Sequence, residues 1–212
     1  MIGQLLPPAV AAVEAYDDSD VEPLHPQEAA LVARAVDKRW REFTTARTCA
    51  RRALRALGLP TGPILTGERG APLWPGGVTG SLTHCAGYRA AVVARQEDVR
   101  SLGIDAEPDA PLPDGVLDAV ALPEEQAMVR RLTGRHPGPP WDRLLFSAKE
   151  SVYKAWYPLT GIFLGFDEAR VVFHPADGSF TARVLVPGRG RDFDGRYRTG
   201  SGLVVTAVAV KN

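Results

Sequence analysis

The segment Leu102-Gly103-Ile104-Asp105-Ala106-Glu107 places two carboxylates two positions apart in a stretch that reads as extended. Side chains alternate across a strand, so Asp105 and Glu107 face the same side about 7 Å apart along the backbone. Such a pair can converge on one hard cation, since Mg²⁺ takes oxygen ligands and combines carboxylates with waters and substrate phosphates. On its own, the same pattern also describes a solvated strand end. A second pattern, Phe146-Ser147-Ala148-Lys149-Glu150-Ser151-Val152-Tyr153-Lys154, has helical composition. Glu150 and Lys154 then share one face, where a carboxylate could bind metal and an ammonium could meet a phosphate. A Glu-to-Lys pair at this spacing is also an ordinary helix stabiliser, contributing about 0.2–0.5 kcal/mol.

Two further groups could handle anions. Gly80-Ser81-Leu82-Thr83-His84-Cys85 closes a strand with hydroxyl, imidazole and backbone N–H groups able to hold a phosphate. A structural histidine is the alternative for His84, and a Cys85–His84 nucleophile pair is disfavoured because neighbouring strand residues point to opposite faces. Lys38, Arg39, Arg41, Arg47, Arg51, Arg52 and Arg55 form a basic set on one helix. Arginine grips phosphate in two-pronged fashion, although most of this set also suits a solvated face.

The elements that must position these residues follow from periodicity. Gln27 to Val36 and Lys38 to Leu57 are predicted helices, the second with an apolar stripe of Trp40, Phe43, Ala50, Leu54 and Leu57 and a stop at Gly58. Ile64–Thr66, Val78–His84, Tyr88–Ala94 and Ser101–Glu107 read as strands. Beyond the proline-rich break at Pro108 to Pro113, short helices are expected at Val116–Val120 and Pro123–Leu132, a mobile loop at Thr133–Pro140, and a long helix at Trp141–Tyr157 stopped by Pro158 and Gly161. Strands are expected at Ala169–Phe173, Phe180–Val186 and Leu203–Val210. Helices then strands, twice over, implies an α+β architecture with a division near residue 100.

Composition narrows the function classes. The chain has 212 residues, 45% hydrophobic, with 25 Lys plus Arg against 25 Asp plus Glu. That size permits a proper core, and the absent positive surplus argues against nucleic acid or an anionic membrane as a broad electrostatic partner. Met1 to Asp20 lack a signal-peptide pattern and no apolar run approaches the ~20 residues that span a bilayer, so a cytoplasmic location is expected. Two cysteines, Cys49 and Cys85, support neither a disulfide framework nor a clustered zinc site.

Together, Gly103-Ile104-Asp105-Ala106-Glu107 and Lys149-Glu150-Ser151-Val152-Tyr153-Lys154 resemble the paired motifs of the phosphopantetheinyl transferases of the surfactin-synthetase-activating type, in particular the enterobactin-synthetase component D branch. The Ser-Leu-Thr-His-Cys stretch and the helix from Arg39 to Arg47 extend the resemblance over about residues 38 to 166. The resemblance implies two similar α+β halves, 1–102 and 103–212, related by a pseudo-twofold, with coenzyme A bound between them. It implies a Mg²⁺-dependent transfer, with Mn²⁺ as an alternative ion, of the 4'-phosphopantetheine arm to a serine of an apo acyl or peptidyl carrier protein, releasing 3',5'-ADP. By motif position, Asp105, Glu107 and Glu150 would ligate the metal. Lys154 would contact the phosphates near the reacting hydroxyl, with Lys149 beside it as a further coenzyme A contact. Thr83 and His84 would bind the nucleotide end, with Arg47 near the 3'-phosphate and Arg39 as another basic contact. Where many relatives carry Gly-Lys-Pro, this chain reads Gly70-Ala71-Pro72, and Arg69 is the cation that could stand in for the lysine. The proton acceptor is left open among Glu150, a metal-held water and Lys154. Leu117, Leu122, Met128 and Leu132 offer a docking surface for a carrier helix, or core packing. A monomer is expected. The competing readings are a Mg²⁺-dependent hydrolase of coenzyme A or nucleotide pyrophosphates, and a carrier-binding module without activity.

Overall fold

A computed structural model describes residues 1–212. A 3₁₀ turn (Ile2–Leu5) leads into β1 (Ala11–Ala15), α1 (Pro26–Leu31), α2 (Asp37–Ala56), the small hairpin β2 (Leu65–Thr66) and β3 (Pro72–Leu73), then β4 (Val78–Cys85) and β5 (Tyr88–Arg95). The second part runs β6 (Ser101–Pro108), α3 (Val116–Val120), α4 (Pro123–Arg135), α5 (Trp141–Thr160), β7 (Ala169–His174), β8 (Ser179–Val184), β9 (Asp192–Gly200) and β10 (Leu203–Val210). The class is α+β. One antiparallel sheet has the order β1-β5-β4 and carries α2; the other has the order β6-β10-β9-β8-β7 and carries α5.

The two sheets meet where β4 runs beside β6, and side chains make the join. The Ser81 hydroxyl accepts the Ile104 N–H at 3.1 Å and the Thr83 hydroxyl accepts the Ala106 N–H at 3.0 Å. Buried backbone donors need partners, and here two hydroxyls supply what a missing ladder would have given. Below the join lies a shared core of 12 residues that draws on both sheets, including Val92, Ile104 and Val205. The α5 side has a core of 20 residues and the α2 side one of 8.

Several expected boundaries moved for identifiable reasons. The first helix ends at Leu31, and Val36 is exposed. Trp40 lies 45% exposed rather than on the apolar stripe of α2, while Phe43, Ala50 and Leu54 are buried as expected. Pro158 sits inside α5, and the helix stops instead at Gly161, whose φ of 66° is the left-handed cap conformation. The expected loop at 133–140 is helical to Arg135 and tied down beyond it, with the Trp141 Nε1–H donating to the His136 carbonyl at 2.9 Å. β9 was not predicted, because its outward residues Asp192, Asp194, Arg196 and Arg198 are charged and Gly195 interrupts it. A side chain at Gly195 would overlap the Phe180 ring beneath.

Candidate active site

The centre of the site is the close approach of α5 to β6. A Cβ on Gly103 would collide with the Ser151 carbonyl oxygen and lie 2.7 Å from the Ala155 nitrogen, so only glycine permits this spacing. Small hydroxyl residues fasten the contact. Ser101 donates to the Ala155 carbonyl at 2.7 Å, and Thr206 on β10 bonds the Ser147 and Ser151 hydroxyls at 2.9 and 2.5 Å. The helix is thereby set against the strand in one register, which carries Lys154 to Asp105.

Lys154 Nζ donates to Asp105 Oδ1 at 2.7 Å and to the Ile104 carbonyl at 3.1 Å. Thr83 also donates to Asp105 Oδ1, at 3.4 Å. Asp105 is 5% exposed, and its Oδ2 is buried with no hydrogen-bond partner. Arg143 Nη1 donates to Glu107 Oε2 at 2.9 Å. Burial pushes the Glu107 carboxyl above the usual carboxylate range and Asp105 pushes it further, against the lowering pull of Arg143 and Lys154. Glu150 is also raised, chiefly by burial, with the charges of Asp105 and Glu107 adding to it and Lys154 opposing.

These three acids feel one another's charge, yet they do not close into a cluster of metal ligands, because Lys154 and Arg143 hold Asp105 and Glu107. The donor set still fits a hard divalent cation. It offers carboxylate oxygens only, concentrates negative charge, and leaves the buried Asp105 Oδ2 unsatisfied, an arrangement that a hard cation would relieve.

Comparison with known proteins bears on what such a site does. The family model described as the 4'-phosphopantetheinyl transferase N-terminal domain matches residues 27–94, and that of the 4'-phosphopantetheinyl transferase superfamily matches residues 101–208. The chain is 58% identical to the 4'-phosphopantetheinyl transferase Svp of Streptomyces mobaraensis, over 99% of this chain and 89% of that one. The chain belongs to the 4'-phosphopantetheinyl transferase superfamily. It is also 48% identical to the 4'-phosphopantetheinyl transferase Npt of Nocardia iowensis, over 99% of both chains. A shorter match, 37% identical over 63% of this chain and 55% of the relative, is to enterobactin synthase component D of Salmonella typhimurium.

Within this phosphopantetheinyl transferase fold, the remaining sequence candidates divide. Arg39 and His84 come together, with Arg39 Nη1 2.6 Å from His84 Nε2, both exposed. Arg47 is 4% exposed, stacks 4.2 Å above Phe43, and donates to the Ile64 carbonyl at 2.8 Å and to Thr66 at 3.1 Å. Burial draws its guanidinium down to about 10. Thr83 serves the β4–β6 join and Asp105, so its hydroxyl is spent on positioning. Arg69 is exposed and lies 4.9 Å over the Phe163 ring. It lines a cleft of about 720 Å³ whose walls also include Trp74, Ser81, Glu150, Tyr153 and Lys154; Asp105, Glu107 and His84 are not among them. Cys85 is no nucleophile, since burial and the charges of Glu107 and Asp105 push its thiol up to about 12.

Lys149 does not fit its expected role. It is 3% exposed and donates to the Val120 carbonyl at 2.8 Å, the Phe166 carbonyl at 2.6 Å and Glu125 at 2.6 Å. All three ammonium donors are taken by the protein, and none is left for a phosphate. The docking surface is also revised, because Met128 and Leu132 are 5% and 6% exposed in the core beneath α5. Sequence reasoning missed Arg143, which lies outside both motifs, and the Ser147–Ser151–Thr206 contact. The run of small residues facing Gly103 was the only signal of the latter.

Proposed function

We propose that this chain moves the 4'-phosphopantetheine arm of coenzyme A to a serine of an apo acyl or peptidyl carrier protein, in a Mg²⁺-dependent reaction that Mn²⁺ can also support. The supporting observation is the meeting of Asp105 from β6 with Lys154 from α5, at 2.7 Å, with Glu150 one turn before Lys154 and the cleft alongside. Asp105, Glu107 and Glu150 would hold the ion. Once bound, it would neutralise charge on the diphosphate of coenzyme A.

The carrier serine Oγ attacks the β-phosphorus. The bond from that phosphorus to the bridging oxygen breaks, and 3',5'-ADP leaves with the electron pair. Glu150 takes the serine proton, a role suited to a carboxylate whose basicity is raised by burial and by its acidic neighbours. Lys154, with a partly exposed side chain, turns from Asp105 toward the phosphates. Arg39, His84 and Arg47 take the nucleotide's 3'-phosphate, and Arg69 contacts coenzyme A from the wall of the cleft. We place the division between two pseudo-twofold-related halves at 1–102 and 103–212. Because both halves come from one chain, the enzyme acts as a monomer. Its free cysteines suit the reducing cytoplasm, and no helix is long and apolar enough to cross a membrane.

The test is intact-mass spectrometry of an apo carrier incubated with coenzyme A and the protein. A phosphopantetheine adduct in Mg²⁺ and none in EDTA is expected. Free phosphopantetheine without an adduct would make the protein a hydrolase, and equal modification in EDTA would remove the metal.

A further inference from the structure

Asp142 and Arg143, on the first turn of α5, fasten the segment that follows β6. Arg143 Nε donates to the Ala110 carbonyl at 3.0 Å, Nη2 to the Pro111 carbonyl at 2.7 Å, and Nη1 to Glu107 Oε2 at 2.9 Å. Asp142 Oδ2 accepts the Leu112 N–H at 2.9 Å. The donors of a guanidinium project from one rigid plane. Three acceptors on that plane therefore fix the Glu107 carboxylate relative to the backbone at 110–111.

Lys154 holds Asp105 in a different way. An ammonium on a flexible four-carbon stem can swing to another anion at little cost, and the Lys154 side chain is 27% exposed against 15% for Arg143. Of the two cations that hold acidic residues here, Lys154 is free to leave and Arg143 is built to stay. If Arg143 stays, Glu107 Oε2 remains engaged and Oε1 is the oxygen left for an ion.

We propose that Arg143 is a positioning residue that holds Glu107 so that its Oε1 faces the divalent ion, and that it keeps this hold through turnover. The inference rests on the metal reading above. Groups that orient metal ligands through a hydrogen bond typically change metal affinity by about 10–100-fold when removed. Simple electrostatics runs the other way, since deleting a cation beside an acidic site tightens cation binding. A weakening of binding therefore separates positioning from charge.

The experiment follows free Mn²⁺ by its EPR signal in the presence of coenzyme A, against a blank of coenzyme A alone. It compares the wild-type protein with Arg143→Ala, Arg143→Lys, Glu107→Gln and the Arg143→Ala/Glu107→Gln double variant, each checked by its melting curve. Mn²⁺ affinity is expected to fall by about 10–100-fold in Arg143→Ala and to recover only in part in Arg143→Lys. In the double variant it should be no weaker than in Glu107→Gln, because the two residues act as one unit. Unchanged or tighter Mn²⁺ binding in Arg143→Ala would overturn the inference, as would additive losses in the double variant. Loss of the folded state in both Arg143 variants would make Arg143 a folding residue and overturn it too. If wild-type protein retains no Mn²⁺ beyond the blank, the metal reading itself fails, before any variant is compared.

Discussion

Helices α2 and α5 each have 20 residues and each packs on one antiparallel sheet, yet they differ in the balance of apolar and charged side chains they bury. α5 buries Trp141, Leu144, Leu145, Val152 and Trp156 in the core of 20 residues. α2 buries Arg47 and Arg51 beside a core of only 8, and Arg51 meets the fully buried Glu28 at 2.9 Å. Its outer arginines, Arg52 and Arg55, converge on Glu22. The first arrangement is rigid because dense apolar packing has one good solution. The second is held by charge pairs whose desolvation offsets most of their attraction. The contrast assigns each helix a task. On the proposed function, the well-packed helix would carry the groups that need the closest placement, and the charged one would present Arg39 to coenzyme A.

The sharpest way to break this division is at Glu150. Glu150→Gln is expected to lower transfer by at least about a hundredfold, the scale seen when one transition-state-stabilising group is removed. Because burial and neighbouring acids already raise this carboxyl, the same change should raise the melting temperature of the ligand-free protein. A lower melting temperature would show that the site is not under electrostatic strain.

Gly103→Ala comes next. The new methyl group must displace α5 from β6, and misplacing reacting groups by about 1 Å costs on the order of a hundredfold in rate. The loss should appear in kcat with the carrier and in the melting curve together. Lys149→Ala sharpens the comparison from the packing side. It leaves Glu125 buried without its cation and should destabilise the fold by about 3–5 kcal/mol. The coenzyme A KM of the folded fraction should be unchanged, and a raised KM would return Lys149 to the binding site. On α2, Arg39→Ala should raise the coenzyme A KM by about fivefold or less, the worth of one solvent-exposed ion pair, and leave kcat alone.

The smallest effect concerns pH. Glu107 and Glu150 bind protons at higher pH in the folded chain than in the unfolded one. In the metal-free protein both should therefore take up protons at a pH above the ordinary carboxylate range. Over that same interval the ligand-free fold should gain stability as pH drops, because the native state binds more protons there than the unfolded state. A denaturation series across that interval checks the sign.

The legible parts were those that local pattern dictates. The strand at 101–108 and the helix from 141 carried alternation and helical spacing, and they bring the two motifs together, although the direct Lys154–Asp105 pair was not among the expectations, which gave Lys154 to phosphate. Partners fixed by tertiary placement were not legible. Nothing local distinguishes Lys149, whose ammonium meets two carbonyls and a carboxylate from other elements, from Lys154, five residues on, which meets Asp105. Arg143 was hidden for the same reason, since its partners lie across the 107–111 segment. β9 had the right alternation in Phe193 and Tyr197, but charge and Gly195 masked it.

The most direct test substitutes Asp105→Asn, which keeps size and shape and removes the charge shared by Lys154 and the proposed ion. The variant is incubated with coenzyme A, Mg²⁺ and an apo carrier, and the carrier is weighed by mass spectrometry after circular dichroism has shown a native fold. The expected result is a folded protein and an unmodified carrier. Complete conversion at the wild-type rate would contradict the assignment of Asp105 and the metal site built on it.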